Sequence, residues 1–468
     1  MVEPLASPAQ ILRGLWSLAG GDPAALARVT LIGAEPALPS SFRVGAAAQA
    51  TIAAAGLAAA EIHRQRTGRS QSVSVDMRHA AAEFRSERYW RLDGKPPGSP
   101  WDKIAGVYQT GDGRWVRLHT NFPHHRDGML KLLGCAYDRA AVQAALMRRQ
   151  GEAFETAAAE VGLVATMMRS PAEWAAHPQG QAIAGLPLLE ITRTGEAPPR
   201  ALPAGGPRPL SGMRILDLTR VIAGPVCGRT LAAHGADVMR ITAPHLPGLP
   251  GLDIDMGRGK LSACLDLRAS DDRGELASLM RESHVFVQGY RPGGLARFGF
   301  SPEACAEIKP GIVTVSLSAY GRAGPWSGRR GFDSLVQTAS GINHAEAEAA
   351  GVEGPKELPA QALDHAAGYL MALGALTALA RKAREGGSWH VSVSLAQTGH
   401  WLKGLGRLER GLERPDPKPA DVADLLVEMD TPLGRLACVR HAALLSETPA
   451  MWERPPVALG THAPVWPV

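Results

Sequence analysis

The sequence of 468 residues contains few cysteines, few aromatic residues and little net charge. Its five cysteines (135, 227, 264, 305 and 438) are scattered and none forms a CxxC pair, which argues against a disulfide scaffold or a zinc ribbon and favours a reducing cytoplasm. The formal net charge is +5, and nothing concentrates the excess into a basic stripe, so a nucleic-acid partner is not expected. A small excess of positive charge does suit an anionic small molecule.

Long hydrophobic runs are also missing. The most apolar stretches, Ala46–Ala60 and Ala366–Ala380, are shorter than the ~20 residues that cross a membrane, and they are rich in alanine. They predict two buried helices rather than membrane spans. The amino terminus, Met-Val-Glu-Pro-Leu, provides no basic segment followed by an apolar one, so we expect no signal peptide, no membrane partner and a cytoplasmic location.

Short apolar runs after residue 210 predict five β-strands, with helical stretches between several of them. The runs are Met213–Leu218, Ala236–Ile241, Leu261–Leu267, Val285–Gln288 and Ile312–Ser318. This order of strand, helix and strand is typical of an α/β fold with a doubly wound parallel sheet, as in Rossmann-like domains. Because a GxGxxG fingerprint is absent from the first turn between strand and helix, NAD and FAD are not indicated.

An internal repeat relates two segments that lie 318 residues apart. Ala46–Asp76 aligns with Asp364–Ser394 without a gap and with 10 identities in 31 positions, including a shared Val-Ser-Val. Each copy predicts an alanine-rich helix, a glycine that stops it, and a strand. We interpret the repeat as a duplication in which Ala46 stands opposite Asp364.

A small α+β domain is predicted between the two copies. Val107–Thr120 is typical of a β-hairpin about Gly111-Asp112-Gly113, and helical sequence follows it. The predicted domains are therefore a partial first copy (1–95), the small domain (96–200), a Rossmann-like domain (210–400) and a C-terminal tail (401–468). Because open α/β sheets bind ligands at the carboxyl edge of their strands, we expect the small domain to cover a cleft there.

Several motifs between residues 212 and 400 follow one another as they do in a known family. They are Leu216–Pro225, Leu231–Thr242, Arg258–Arg268, Gly289–Phe300, Gly324–Ile342 and Asp364–Leu395. In these motifs the chain resembles the class III CoA-transferases, also called the CaiB/BaiF family. Ala46–Met77 and Gly106–Arg193 resemble family segments too, but they precede the strand-rich part instead of following it. The chain is thus similar to a rearranged tandem, in which an incomplete first copy supplies the small domain.

The resemblance implies that Asp364 is a nucleophile. A carboxylate can attack an acyl-CoA thioester, giving a mixed anhydride and CoA thiolate in reversible steps. The implied activity is transfer of CoA from an acyl-CoA to a small carboxylic acid, with CoA as a substrate and with no permanently bound cofactor or metal. Taken by itself, Asp364 could instead be the N-cap of a helix over 365–380, a position that aspartate favours.

The resemblance also implies a set of residues that contact CoA. Lys260, Arg297 and Arg330 are expected at its phosphates, which cations suit. Val221, Ala223 and Tyr290 are expected along its adenine or pantetheine parts.

Two alternatives to CoA transfer stay open at this point. The racemase branch of the family exchanges an α-proton through a histidine at the position of Phe332, and phenylalanine cannot accept a proton, so racemisation is disfavoured. An isomerase, or transfer of CoA within one diacid, stays open as a variant of CoA transfer. A CoA-binding protein without catalysis is the other alternative, because Ala46 shows that one copy has lost its carboxylate. Retention of Asp364 favours the enzyme. Since subunits of the family interlock, a homodimer is expected.

Overall fold

The computed structural model describes residues 5–467. Residues 1–4 and residue 468 lie outside the described part. The expectation of no signal peptide concerns residues 1–4 in part, and to that extent it also lies outside the described residues. The α-helices are α1 (Pro8–Leu18), α2 (Val44–Thr67), α3 (Met77–Glu83), α4 (Ser86–Tyr89), α5 (Pro123–Leu133), α6 (Arg139–Leu146), α7 (Gly151–Glu160), α8 (Pro171–Ala176), α9 (Pro178–Ala184), α10 (Ala223–Ala233), α11 (Pro250–Met256), α12 (Ser270–Arg281), α13 (Pro302–Ile308), α14 (Asp333–Ala339), α15 (Ile342–Ala350), α16 (Ala362–Glu385) and α17 (Leu395–Gly404).

The strands form one large sheet and three small ones. They are β1 (Val29–Ile32), β2 (Val73–Asp76), β3 (Arg91–Leu92), β4 (Gly106–Gln109), β5 (Trp115–Leu118), β6 (Ala165–Met167), β7 (Glu190–Gly195), β8 (Arg214–Leu218), β9 (Asp237–Thr242), β10 (Lys260–Cys264), β11 (Val285–Gln288), β12 (Val313–Ser318), β13 (Ser388–Ser394), β14 (Leu426–Thr431), β15 (Gly434–Val439) and β16 (Leu444–Leu445).

The large sheet has seven strands in the order β10-β9-β8-β11-β12-β13-β7. The first six are parallel, and β7 runs antiparallel to β13 at one edge. The five strands predicted after residue 210 are β8 to β12, each within a few residues of its predicted bounds. The predicted doubly wound α/β fold is therefore confirmed.

Helices cover both faces of this sheet. Val285 and Val287 pack on the face that α10 and α16 cover, whereas Phe286 between them packs on the other face with α12 and α13. Because both faces are buried, the strands are largely apolar rather than alternating, which is why they stand out in the sequence as short apolar runs.

The internal repeat has a direct structural counterpart. α2 and α16 both contain 24 residues, and their first residues and their last residues are each 318 positions apart. The residue before each helix also has a similar backbone conformation, with φ −84° and ψ 57° at Arg43, and φ −77° and ψ 65° at Gln361. The two copies thus share the helix start that, in the second copy, carries Asp364.

The two repeat helices pack against each other in the centre of the protein. Both are long and apolar enough to cross a membrane by length and composition alone, yet 94% of the most apolar window of each is buried inside the protein. The expectation of two buried helices is confirmed.

The small domain contains the predicted hairpin, formed by β4 and β5, with β6 as a third antiparallel strand. Its own core is formed by residues of this sheet and of α5, α6 and α7, among them Tyr108, Val116 and Phe154. The expected boundary at residue 200 is wrong, because β7 pairs with β13 and extends the large sheet instead of belonging to the small domain.

The C-terminal tail fastens the two copies together. β14 and β15 form a hairpin that pairs with β3, and β16 pairs with β2, so both contacts are made to the first copy. Further along, the N–H of Ser262 on β10 donates to Nδ1 of His462 at 3.0 Å. The tail is therefore ordered by contacts with distant segments, which its weakly patterned sequence does not reveal.

Candidate active site

A cavity of about 440 Å³ opens at the carboxyl ends of the parallel strands, as expected for this fold. Loops that follow β8 to β12 form its floor and walls, and Asp364 at the start of α16 lies in it. Phe122, His124 and His125 of the small domain also line it. The expected cleft between the small domain and the sheet is present, and one chain supplies both sides of it.

Asp364 is the third residue of α16 and not the residue before the helix. Gln361 occupies the N-cap position, so the interpretation of Asp364 as an N-cap is wrong. The residue is only 6% exposed, and within residues 5–467 no side chain or backbone group donates a hydrogen bond to its carboxyl group. Its carboxyl oxygens are therefore available to a molecule in the cavity.

Asp333 performs the capping role instead. One of its oxygens accepts hydrogen bonds from the N–H groups of Leu363 at 2.7 Å and of Asp364 at 2.9 Å. These helix amides would otherwise be free to stabilise a negative charge. Burial, and then the nearby charge of Asp333, raises the pKa of Asp364 well above its usual range. Burial raises the pKa of Asp333 as well, although the hydrogen bonds that it accepts from Asp364, Gln337 and Leu363 oppose the shift.

The start of α10 lies close to α16. At Gly368, one turn beyond Asp364, an added Cβ would lie 2.5 Å from the carbonyl oxygen of Ala223, so only glycine permits this approach. Val221, just before α10, has φ 72°, a conformation that β-branched residues rarely adopt and that is found where function demands it. Ala223, the first residue of α10, thereby lines the same cavity as Asp364.

Residues of the first copy pack against the first turn of α16 next to Asp364. His365 is fully buried, and its Nε2 lies 3.1 Å from an Oε2 of Glu87, which belongs to α4 of the first copy. The ring of Phe84 stacks on His365 with 5.3 Å between the ring centroids. The His365 ion pair lowers the pKa of Glu87 although burial opposes it. The negative charge of Glu87 is in turn a further cause of the raised pKa of Asp364.

The cavity is rich in positive charge. Five of its arginines form no ion pair with a carboxylate in residues 5–467, although Arg268, a sixth, pairs with Asp266. The five are Arg220, Arg291, Arg297, Arg329 and Arg330. Such a concentration of unpaired guanidinium groups points to a ligand that carries several negative charges, since arginine is well suited to phosphate and carboxylate.

A comparison with models of known protein families identifies the family of this chain. The family model described as CoA-transferase family III matches residues 20–198 and 210–424. The chain belongs to CoA-transferase family III. The predicted family is therefore confirmed. The first matched segment contains one half of the internal repeat and the second contains the other.

Relatives of this family align with most of the chain. An acetyl-coenzyme A transferase of Hypoxylon pulicicidum is 29% identical over 388 residues, which are 73% of this chain and 65% of that protein. An acyl-CoA transferase of Gibberella moniliformis is 28% identical over 419 residues, 80% of this chain and 73% of that protein. The chain thus spans slightly less than two thirds of the first of these relatives.

One solved structure of similar sequence is the orthorhombic form of Rv3272 from Mycobacterium tuberculosis. It is 28% identical, covers 42% of this chain and 58% of its own, and superposes with a TM-score of 0.39.

Most of the residues expected to contact CoA come together in the cavity. Its lining includes Val221, Ala223, Tyr290, Arg297 and Arg330, all in one cavity with Asp364. Their assignment to parts of CoA stays a prediction.

Lys260 is the exception, and its expected contact with CoA does not fit the structure. It begins β10 and is 2% exposed; its Nζ donates to Asp217 at 2.7 Å and to the carbonyl of Pro225 at 2.8 Å. The side chain lies in the interior and is absent from the cavity lining.

Arg268, His245 and Arg220 line the cavity but were missed in the sequence. The sequence could have indicated Arg268, because this residue follows the carboxyl end of the strand that Lys260 begins, and open α/β sheets bind ligands at the carboxyl ends of their strands. Arg220 likewise follows the end of β8. His245 lies in a loop of weak pattern, so only the fold brings it to the cavity.

Phe332, at the racemase position, is held by aromatic contacts. Its ring stacks on that of His119 with a centroid distance of 3.7 Å and an interplanar angle of 9°. The side chain lines the cavity beside Asp333 and provides an apolar wall rather than a proton acceptor.

The different positions of Lys260 and Arg268 predict different effects of substitution. Lys260→Ala leaves Asp217 as a buried, uncompensated charge and should reduce the free energy of unfolding by about 3–5 kcal/mol. Arg268→Ala removes an exposed cation and should leave stability within about 0.5 kcal/mol while raising the KM for acyl-CoA. Denaturant unfolding and acyl-CoA kinetics on both variants test this, and the reverse pattern would show that Lys260 is the ligand contact.

The raised pKa of Asp364 predicts a pH-dependent stability difference. A carboxyl group whose pKa is higher in the folded than in the unfolded protein stabilises the fold below its unfolded pKa, and this stabilisation is lost as pH rises through the folded pKa. The Asp364→Asn side chain cannot ionise, so the variant is spared this loss. The Tm of the variant minus the Tm of the wild type should therefore increase as pH rises from about 5 to about 8. Thermal unfolding of both proteins across this range measures the difference. A constant difference would mean that Asp364 is not perturbed by burial.

Proposed function

We propose that the protein transfers CoA from an acyl-CoA to a free carboxylic acid, with Asp364 as the covalent nucleophile. The observation that carries the proposal is the placement of an unbonded, buried carboxyl group in a cavity walled by unpaired arginines. The two relatives named above are both transferases of acyl-CoA or acetyl-CoA by name, which supports this chemistry.

The reaction begins at the thioester. A carboxylate oxygen of Asp364 attacks the thioester carbonyl carbon, the C–S bond breaks, and CoA leaves as a thiolate while a mixed anhydride forms. The thiolate then attacks the Asp364 carbonyl carbon, which releases the donor acid as a carboxylate and leaves CoA on Asp364 as a thioester. The carboxylate of the incoming acid reverses both steps and departs as the new acyl-CoA.

The environment of Asp364 fits this sequence of steps. Its raised pKa makes the ionised form a more basic nucleophile, and its burial limits the access of water to a reactive anhydride. Each attack places negative charge on a carbonyl oxygen. The amide of Ala223, a residue that lines the cavity with Asp364, is suited to stabilise that charge, whereas Pro225 has no N–H and Val226 donates to Ile222.

CoA binding follows from the charges of the cavity. We assign the phosphates of CoA to the arginines at the strand ends, including Arg268, Arg297 and Arg330, and the apolar and backbone contacts to Val221, Ala223 and Tyr290. One chain supplies both the sheet side and the small-domain side of the cavity, so the cavity does not itself require a second subunit. The homodimer expected from the family stays a prediction.

The alternative of a CoA-binding protein without catalysis would share the arginines but would make no use of Asp364. Racemisation is not favoured, because Phe332 lies where a proton acceptor would be needed.

Asp364→Ala should lower the rate of CoA exchange between acyl-CoA and free acid by about 10³-fold or more, because removal of a covalent nucleophile leaves only binding and electrostatics. The affinity for CoA should change little, since other residues hold the phosphates. Ala46→Ser, at the equivalent position of the first copy, is the matched control and should exchange CoA like the wild type.

Exchange is measured with isotopically labelled acid, and CoA binding by calorimetry. Near-normal exchange by Asp364→Ala would contradict the proposed mechanism. Tight CoA binding by a wild-type protein that exchanges no acid would instead support the non-catalytic alternative.

A further inference from the structure

His125 is a buried side chain without a hydrogen-bond partner. It is 4% exposed, and neither ring nitrogen has a partner within residues 5–467. Some other buried histidines are bonded: Nε2 of His79 lies 2.9 Å from the carbonyl oxygen of Arg440, and His365 pairs with Glu87, whereas His234 is not bonded. Because buried polar groups in folded proteins nearly always find partners, an unbonded imidazole that lines a cavity indicates a partner that binds there.

The imidazole lies on the small-domain side of the Asp364 cavity. It meets Phe332 edge-on, with 6.2 Å between the ring centroids. Phe332 is followed by Asp333, whose carboxylate holds the amide of Asp364. His125 and Asp364 therefore line the same cavity, each next to the Phe332–Asp333 segment.

The surroundings of His125 suit an anion. It lies in the first turn of α5, an eleven-residue helix in which Pro123 has no N–H, while the N–H groups of His125 and Arg126 both donate to the Phe122 carbonyl. This leaves the amide of His124 at a helix end that favours negative charge. The guanidinium carbon of Arg220 lies 4.5 Å from the ring centroid of Phe122, beside the same turn.

His125 itself is neutral. Burial, and then nearby positive charges that include Arg330 and Arg220, lowers its pKa to about 3. A neutral imidazole retains one N–H donor, which a carboxylate oxygen can accept.

Two further polar side chains, Arg268 and His245, lie on another part of the cavity wall. Arg268 and His245 follow β10 and β9, whereas Phe332, which His125 contacts, follows β12. β10 and β12 are separated by four strand spacings, about 19 Å. The second substrate of the proposed reaction is itself an anion, and Arg220 beside Phe122 offers it a positive charge.

We propose that His125, together with Arg220 and the first turn of α5, binds the carboxylate of the incoming acid and positions it for attack at Asp364. This assignment rests on the proposed function and names its second substrate site. It makes His125 a specificity residue for the acid and not for CoA.

The test separates the two substrates kinetically. Three pairs are used, acetyl-CoA with labelled acetate, succinyl-CoA with labelled succinate and hexanoyl-CoA with labelled hexanoate, and the fastest pair for the wild type is followed by isotope exchange. His125→Leu should raise the KM for the acid about 10-fold or more, the usual size for a lost hydrogen bond to a charged group, and should change the KM for acyl-CoA less than about twofold. His125→Gln, which keeps an N–H donor, should recover part of the affinity for the acid.

His234→Gln is the matched control. His234 is fully buried and both its ring nitrogens lack partners within the described chain, but it does not line the cavity. Its substitution should leave both KM values unchanged even if the Tm falls. An unchanged KM for the acid in folded His125→Leu, or an equal rise for acyl-CoA, would overturn the assignment while leaving the proposed function intact. A wild-type protein that exchanges none of the three pairs would count against the proposed function itself.

Discussion

The hydrogen bonds from the start of α16 to Asp333 are the interaction on which the site depends. By accepting the amides of Leu363 and Asp364, Asp333 fixes the first turn of the helix and leaves the Asp364 carboxyl group without a partner. A buried, unbonded carboxyl next to another acid is unfavourable for the fold. The surrounding core must therefore supply the stability that this arrangement removes, and the packing of α16 against α2 and α10 is where it does so.

The first copy has kept the architecture of such a site without its chemistry. Glu35 accepts the amide of Ala46 at 2.6 Å, much as Asp333 accepts that of Asp364. Ala46 is fully buried and offers no carboxylate. What the first copy contributes instead is support: α2 packs on α16, Glu87 pairs with His365, and the small domain closes the cavity from the side opposite the sheet.

Much of the fold could be predicted from the sequence because both-sided burial gives β8 to β12 continuous apolar runs, and because the repeat marks α2 and α16. Family motifs located Asp364 and most of the cavity residues. The expected contact of Lys260 with CoA is wrong because a sequence motif does not show at which end of a strand a residue lies. Lys260 begins β10, whereas Arg268 of the same motif follows the carboxyl end of β10 and lines the cavity. The sequence does not place β7 in the large sheet, the tail hairpin against β3, or His125 in the cavity. Only contacts between distant segments bring these residues to their positions.

The central claim is that Asp364 alone becomes acylated or thioesterified during turnover, once per chain. Hydroxylamine added to the protein during turnover with an acyl-CoA should convert that carboxyl group to a hydroxamate, which peptide mass spectrometry can locate. The account predicts one modified site per chain, in the peptide that contains Leu363-Asp364-His365, and none in the first copy. Modification of a different carboxylate, or exchange of CoA without any modified residue, would contradict it.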